Sequence, residues 1–173
     1  MRIPLLIFLL ITGCSNASEL NDNTTKSQRC EITFTSQTPC SYNGVSVKLH
    51  AETLGIDEKS LQSLEVFSNS TNQTLEISPD TSLIEGDKGY ISLSDINFDE
   101  IPDIAITTSF GVANLYLDYW VFDTDKKQYV FIGNYGELKL DLKNQMLSNV
   151  IKINAASYQN NYYVWDGYTL KIK

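Results

Sequence analysis

From Cys30 onward, apolar and polar residues alternate along most of the chain. The alternation is clearest at residues 45–51 and 138–142, where every second residue is apolar. A period of two puts successive side chains on opposite faces and therefore predicts half-buried β-strands. Similar runs occur throughout the chain, namely at 30–35, 63–67, 74–78, 90–94, 104–108, 115–122, 128–132, 149–154, 162–165 and 168–172.

Turn-forming residues separate these runs. Examples are SNSTN at 68–72, DTDKK at 123–127, and Asp166-Gly167, a dipeptide typical of tight hairpins. Residues 57–61 are the one place where the pattern allows a short helical turn. About ten short strands with tight turns predict an all-β, antiparallel meander. The pattern leaves three closures open: a barrel, a sandwich or a propeller-like arrangement.

The first fourteen residues, MRIPLLIFLLITGC, follow a different pattern. Arg2 supplies a positive charge, and residues 5–11 form an unbroken apolar run. This run is too short to span a bilayer and predicts a secretory signal peptide over residues 1–13. The last four residues resemble a bacterial lipobox, which implies cleavage before Cys14 and acylation of that cysteine. An ordinary signal peptide that happens to contain Cys14 is the alternative.

The lipobox sets the expected organisation of the mature chain. Residues 14–29 contain few apolar side chains and are expected to form a lipidated, flexible tether. Residues 30–173 then form a single all-β domain, held at the membrane by its acyl chains. Because Ser15 rather than Asp follows the cysteine, resemblance to the usual sorting rule favours the outer membrane, facing the periplasm, in a Gram-negative host.

The cysteine count supports the same interpretation. The chain has 3 cysteines, and lipidation of Cys14 leaves Cys30 and Cys40 as an even pair in an oxidising compartment. They close the segment CEITFTSQTPC, so we expect a disulfide that restricts the unfolded chain. Two independent free thiols are the alternative.

Charge and missing motifs narrow the function classes. The chain has 13 Lys and Arg against 21 Asp and Glu, a net charge of −8, and removal of Arg2 with the signal makes it −9. Nucleic acid is therefore a poor partner and a basic protein a good one. His50 is the single histidine, and no nucleophile, zinc or nucleotide motif is present. We therefore expect a protein that is not an enzyme.

The segment DINFDEIPD is the strongest candidate site. Side-chain oxygens fall at Asp95, Asn97, Asp99 and Asp103, and the carbonyl of Ile101 occupies the seventh position. Ca²⁺ prefers six to eight oxygen ligands, which a tight loop supplies from alternate residues. The segment therefore predicts a structural calcium site between two strands.

Glu100 departs from the usual pattern of such loops. The sixth position is commonly glycine because the turn needs a left-handed backbone, and a side chain there costs on the order of 1 kcal/mol. A metal-free turn is therefore the alternative to the calcium site.

Three segments together resemble a family of bacterial envelope lipoproteins: SLSDINFDEIPDIAI, YLDYWVFDTDKKQYVFI and YYVWDGYTLKIK. The family consists of immunity proteins against lysozyme-like, peptidoglycan-cleaving effectors of type IV secretion. The resemblance covers roughly residues 64–173 and implies an all-β, propeller-like domain with bound calcium. It also implies that this chain binds and inhibits a peptidoglycan hydrolase.

Aromatic residues are the expected partner contacts. Tyr158, with Tyr162 behind it, lies where the family presents an aromatic loop, and Phe110 marks a second candidate surface. Tyr and Trp are enriched at interface hot spots, although tyrosines of β-proteins also commonly pack within their own sheet. The alternative function is a structural or assembly lipoprotein of the envelope with no hydrolase target.

Overall fold

The computed structural model describes residues 27–36 and 38–173. The expected signal peptide, Cys14 and most of the expected tether lie outside these described residues. Within them every regular element is a β-strand. The described part of the chain has no helix long and apolar enough to cross a membrane.

The prediction of an antiparallel all-β fold is confirmed. The described residues form fourteen strands instead of about ten, because three-residue strands are too short to show a clear alternation. The strands are β1 Ser27–Thr33, β2 Cys40–Tyr42, β3 Val45–Thr53, β4 Glu58–Phe67, β5 Asn72–Glu76, β6 Ser82–Ile84, β7 Lys88–Ser94, β8 Asp103–Thr107, β9 Tyr116–Asp123, β10 Gln128–Gly136, β11 Lys139–Asp141, β12 Met146–Lys152, β13 Tyr158–Asp166 and β14 Thr169–Ile172.

The strands form three open antiparallel sheets. The N-terminal sheet has the order β2-β3-β4-β5, with β6 paired to β4. The middle sheet has the order β1-β7-β8-β9-β10, and the C-terminal sheet has the order β11-β12-β13-β14. Most neighbours in a sheet are consecutive in the chain, so each sheet is largely a meander.

The middle sheet is covered on both faces. Ile104, Ile106 and Trp120 pack into the core shared with the N-terminal sheet. Ala105 and Tyr119, which alternate with them, pack into a second core shared with the C-terminal sheet. All five residues of β8 are buried as a consequence. The three sheets thus form three layers, and the middle sheet packs against the other two.

Residues 27–29 differ from the expected tether. They are part of β1 and pair with residues 92–94 of β7. Their composition is polar, but backbone pairing at the edge of the middle sheet does not require apolar side chains. The folded part therefore begins at least three residues earlier than expected.

The helical turn expected at residues 57–61 is wrong. Glu58 begins β4, whose first residues are paired on both sides. Thr53 of β3 faces Lys59, and Ile84 of β6 faces Glu58. Pairing with two strands uses the backbone groups that a helical turn would need.

The disulfide prediction is confirmed. Cys30 and Cys40 are bonded, with 5.6 Å between their Cα atoms. The bond joins β1 of the middle sheet to β2 of the N-terminal sheet, and Cys40 is fully buried. It therefore links two layers close to the start of the folded domain.

Candidate functional site

The acidic loop, residues 95–103, connects β7 to the start of β8. Asp95 closes it, because its carboxylate oxygens accept the backbone N–H of Asp99 at 3.0 Å and of Glu100 at 2.9 Å. Phe98 and Glu100 have positive φ values of 66° and 69°. The left-handed turn expected at Glu100 is thus confirmed, and a glutamate occupies it.

The middle of the loop is tied by further short bonds. The Asn97 side chain donates to Asp99 Oδ2 at 2.9 Å and accepts the Asp99 N–H at 3.2 Å. The other Asp99 oxygen accepts the N–H of Ile101 at 2.9 Å. These bonds hold the expected ligand residues in one compact turn.

Asp103 is placed differently from the other acids of the loop, because it is buried. Its Oδ2 accepts the N–H groups of Ile96 at 2.9 Å and Asn97 at 3.2 Å, and its Oδ1 accepts that of Phe122 at 3.0 Å. Burial raises the pKa of Asp103 well above its usual range, and these three hydrogen bonds act against that rise. Asp103 therefore fastens the loop to β9.

The oxygens of the loop suit calcium by type. In the described residues, no three Asp, Glu, His or Cys side chains are arranged to hold a metal ion. Asp95 and Asp99 nevertheless keep a second lone pair on each carboxylate oxygen beyond the bonds just described. Asp103 keeps one, on Oδ1. These oxygen ligands are of the type that Ca²⁺ prefers. Asp103 has the fewest free lone pairs, because three backbone N–H groups already bond to it.

The predicted tyrosine contacts lie on the outer face of the C-terminal sheet. Tyr158 and Tyr162 of β13 are 62% and 51% exposed. Tyr163 and Trp165 belong to the opposite face of the same strand and pack into the core shared with the middle sheet. Strand pairing sets Tyr158 opposite Lys152 and Tyr162 opposite Ser148. The lysines that the register places on this face are Lys139, Lys152 and Lys171.

Phe110 lies elsewhere and is half-buried. It packs against the core between the N-terminal and middle sheets. A Cβ atom added to Gly89 would lie 2.5 Å from its ring, so the ring covers the backbone of β7 at this position. Phe110 is therefore not brought together with Tyr158 and Tyr162.

Charge is segregated between the layers. Residues 27–137, which form the N-terminal and middle sheets, carry 6 Lys and Arg against 17 Asp and Glu, a net charge of −11. Residues 138–173, which form the C-terminal sheet, carry 5 Lys against 2 Asp, a net charge of +3. The acidity of the chain thus belongs to two layers, and the exposed tyrosines belong to the third.

A cleft of about 210 Å³ separates part of the middle sheet from the C-terminal sheet. At its mouth Glu137 accepts the hydroxyl of Tyr90 at 2.9 Å and pairs with Arg29 at 2.8 Å. The Arg29 guanidinium also lies 4.5 Å from the centroid of the Tyr90 ring. Burial raises the pKa of Tyr90, so the phenol stays protonated and donates. These polar groups satisfy one another.

Sequence reasoning missed one exposed feature, at the turn between β3 and β4. Leu54 and Ile56 of this turn are 58% and 99% exposed, and the neighbouring Ile84 of β6 is 48% exposed. The sequence signal was the segment TLGIDE, in which apolar residues flank a glycine at a turn. The prediction of a helical turn at residues 57–61 overlapped this segment and left its exposed apolar residues unrecognised.

Comparison with known proteins gives no match to a family model, to a curated protein or to a solved structure.

Proposed function

We propose that the protein is an envelope-anchored lipoprotein of the immunity type that binds and inhibits a basic, lysozyme-like peptidoglycan hydrolase. The observation that carries the proposal is the net charge of −11 over residues 27–137. Three of these acids, Asp103, Asp118 and Asp123, are buried, and the other carboxylates still leave an excess of negative charge. Such an excess attracts a basic partner and raises its association rate. Inhibition then follows from occupation of the substrate cleft of the hydrolase, with no chemistry by this chain.

The resemblance to envelope immunity lipoproteins supports the same function. A lipid on Cys14 would place the folded domain in the compartment that contains peptidoglycan. A flexible segment between Cys14 and β1 would let the domain reach a hydrolase while anchored.

The direct test is a lysis assay with the mature chain, residues 14–173, carrying Cys14→Ser in place of the lipidated residue. It is titrated into c-type, g-type and phage-type lysozymes acting on peptidoglycan. We expect stoichiometric inhibition, with an association rate that falls between about 0.02 M and about 0.3 M salt because screening shortens the reach of surface charge. Full lytic activity of all three lysozymes at excess protein would refute the proposed function.

Calcium is the proposed structural ligand of the acidic loop. Asp95, Asn97 and Asp99 would hold it through side-chain oxygens, Ile101 through its carbonyl and Asp103 through Oδ1. The ion would offset the repulsion between neighbouring carboxylates and rigidify the connection from β7 to β8.

Calorimetric titration of the metal-free protein tests this ligand. Binding is expected for the wild type, tighter binding for Glu100→Gly because glycine adopts the left-handed backbone without strain, and none for Asp95→Ala with Asp99→Ala. A melting temperature that is equal in calcium and in chelator would identify the loop as a metal-free turn.

An assembly lipoprotein is the second candidate function. The observation that favours it is the net charge of the C-terminal sheet, which is opposite in sign to that of the other two sheets. A protein with an acidic and a basic part is suited to bridging two partners. Pull-down from envelope and secreted fractions, with and without chelator, separates the candidates. Recovery of a glycan hydrolase supports inhibition, and recovery of other envelope proteins alone supports assembly.

A further inference from the structure

The β3–β4 turn and the end of β6 form one exposed apolar surface. Leu54, Ile56 and Ile84, here called the apolar tip, are exposed to 58%, 99% and 48%. They are neighbours because Glu58 pairs with Ile84 across β4 and β6 and the Glu85 N–H bonds the Asp57 carbonyl at 2.9 Å. Single exposed apolar residues are ordinary, but a group of them on one projection is typical of a contact site.

The backbone beneath the apolar tip is held in place. The N–H groups of Leu54 and Gly55 both bond the Glu58 carbonyl, at 3.0 and 3.3 Å. On the β6 side the Ile84 N–H donates to the Asp87 carboxylate at 3.1 Å. A projection that is already ordered loses little conformational entropy when it binds, which favours tight association.

The segments that carry the apolar tip are rich in acidic residues. Five acidic residues lie on the segments that carry it, namely Glu52, Asp57, Glu58, Glu85 and Asp87. The nearby lysines are Lys59 and Lys88. Lys59 is engaged elsewhere, since its ammonium donates to the Phe34 carbonyl at 2.6 Å and lies 4.8 Å from that ring centroid. With five acids against two lysines, the segments that carry the apolar tip have an excess of negative charge.

We infer that the apolar tip is the surface with which this protein enters the substrate cleft of the hydrolase, an inference that rests on the proposed function. Its apex fits a recess that binds the apolar faces of sugar rings, and its carboxylates fit a basic rim. Charge argues against three other occupants. Nucleic acid and anionic membranes would be repelled, and so would the same acidic surface of a second copy.

The experiment compares variants in the lysozyme assay, with whichever of the three lysozymes the wild type inhibits. The tip variant is Leu54→Ser with Ile56→Ser. The matched control is Ile153→Ser, an isoleucine 57% exposed just after β12 of the C-terminal sheet. A third variant, Tyr158→Ala with Tyr162→Ala, tests the C-terminal sheet.

We expect the tip variant to raise the inhibition constant at least tenfold, while the control and tyrosine variants stay within about twofold of the wild type. All of these side chains are exposed, so melting temperatures should be unchanged. Asp57→Asn with Glu85→Gln is expected to slow association at low salt and to have little effect at high salt, because rim charges act mainly on the rate of encounter.

Each outcome separates the inference from the proposed function. A wild type that inhibits no lysozyme refutes the proposed function. If the wild type inhibits and the tip variant is equally potent, the inference about the apolar tip is refuted, but the proposed function is not. Loss of inhibition in the tyrosine variant alone moves the contact to the C-terminal sheet. Concentration-dependent self-association in sedimentation, abolished in the tip variant, would identify a second copy as the occupant and overturn the inference.

Discussion

Asp118 connects two layers of the fold through its side chain. It is fully buried on β9 of the middle sheet. Its Oδ2 accepts the backbone N–H of Ser78 at 2.7 Å, and its Oδ1 accepts the Ser78 hydroxyl and the Asn134 amide at 2.8 Å each. Ser78 follows β5 of the N-terminal sheet, so one carboxylate joins that sheet to β9 and β10.

Replacing Asp118 with alanine should cost about 3 kcal/mol of unfolding free energy. A hydrogen bond to a charged group contributes about 1.5–3 kcal/mol, and removing one partner of a buried group also leaves the donors unsatisfied. Two effects reduce the sum. The buried charge itself disappears, and Ser78 is partly exposed, so water replaces some of the lost bonds. Asp118→Asn keeps one acceptor oxygen but turns an NH2 donor toward either the Ser78 N–H or the Asn134 amide, so it should cost about as much as alanine.

Urea denaturation followed by circular dichroism measures the effect. The midpoint should fall while the slope with denaturant stays constant, because the surface exposed on unfolding is the same. Asp125→Ala, in the exposed turn between β9 and β10, is the control and should change the free energy by less than about 0.5 kcal/mol. A loss below about 1 kcal/mol in Asp118→Ala would show that the carboxylate does not join the layers energetically.

Three further perturbations probe other parts of the fold. Cys30→Ala with Cys40→Ala should lower the free energy of unfolding by about 3 kcal/mol, the loop-entropy value for so short a loop, measured in urea under oxidising conditions. Hydrogen bonds from Lys126 hold the pKa of Asp123 below its usual range, so its stabilisation is present above about pH 4 and lost as pH falls through the lowered pKa. The stability difference between wild type and Asp123→Asn should therefore shrink in acid, and a difference independent of pH would contradict this. Gly89→Ala should destabilise by about 1–3 kcal/mol in thermal unfolding, because its methyl would collide with the Phe110 ring at 2.5 Å, and an unchanged melting temperature would contradict this.

Strands and the disulfide were predictable because each depends on local information. Alternation reports which face of a strand is buried, and two cysteines separated by 10 positions are close enough in sequence to pair whatever the remaining topology. The left-handed conformation of Glu100 was predictable for the same reason, since it follows from the spacing of oxygens within nine residues. Such features need no knowledge of what packs above or below them.

The layered arrangement was not predictable in this way. Residues 104–107 are apolar or small on both faces of β8. A short run of that kind is equally consistent with a strand in a barrel, a sandwich or a propeller blade. The prediction of a helical turn after β3 was wrong for a related reason. Glu58, which follows the turn, pairs with Ile84 of β6, about 26 residues further along the chain, and no local pattern predicts a pairing at that distance.

The charge distribution changes the choice of contact surface. From the sequence, net acidity indicated a basic partner and exposed tyrosines indicated the anchor, and both were expected to serve one interface. The structure places Tyr158 opposite Lys152 and Tyr162 on the same face as Lys139, on a sheet whose net charge is positive. A basic hydrolase docking there would meet like charge, which slows encounter and costs affinity. The acidic residues that would attract a basic partner and the tyrosines that would anchor it therefore lie on different sheets. The apolar tip has no aromatic residue, but its exposed Leu54, Ile56 and Ile84 lie on segments rich in carboxylates, so apolar contact and negative charge occur together there.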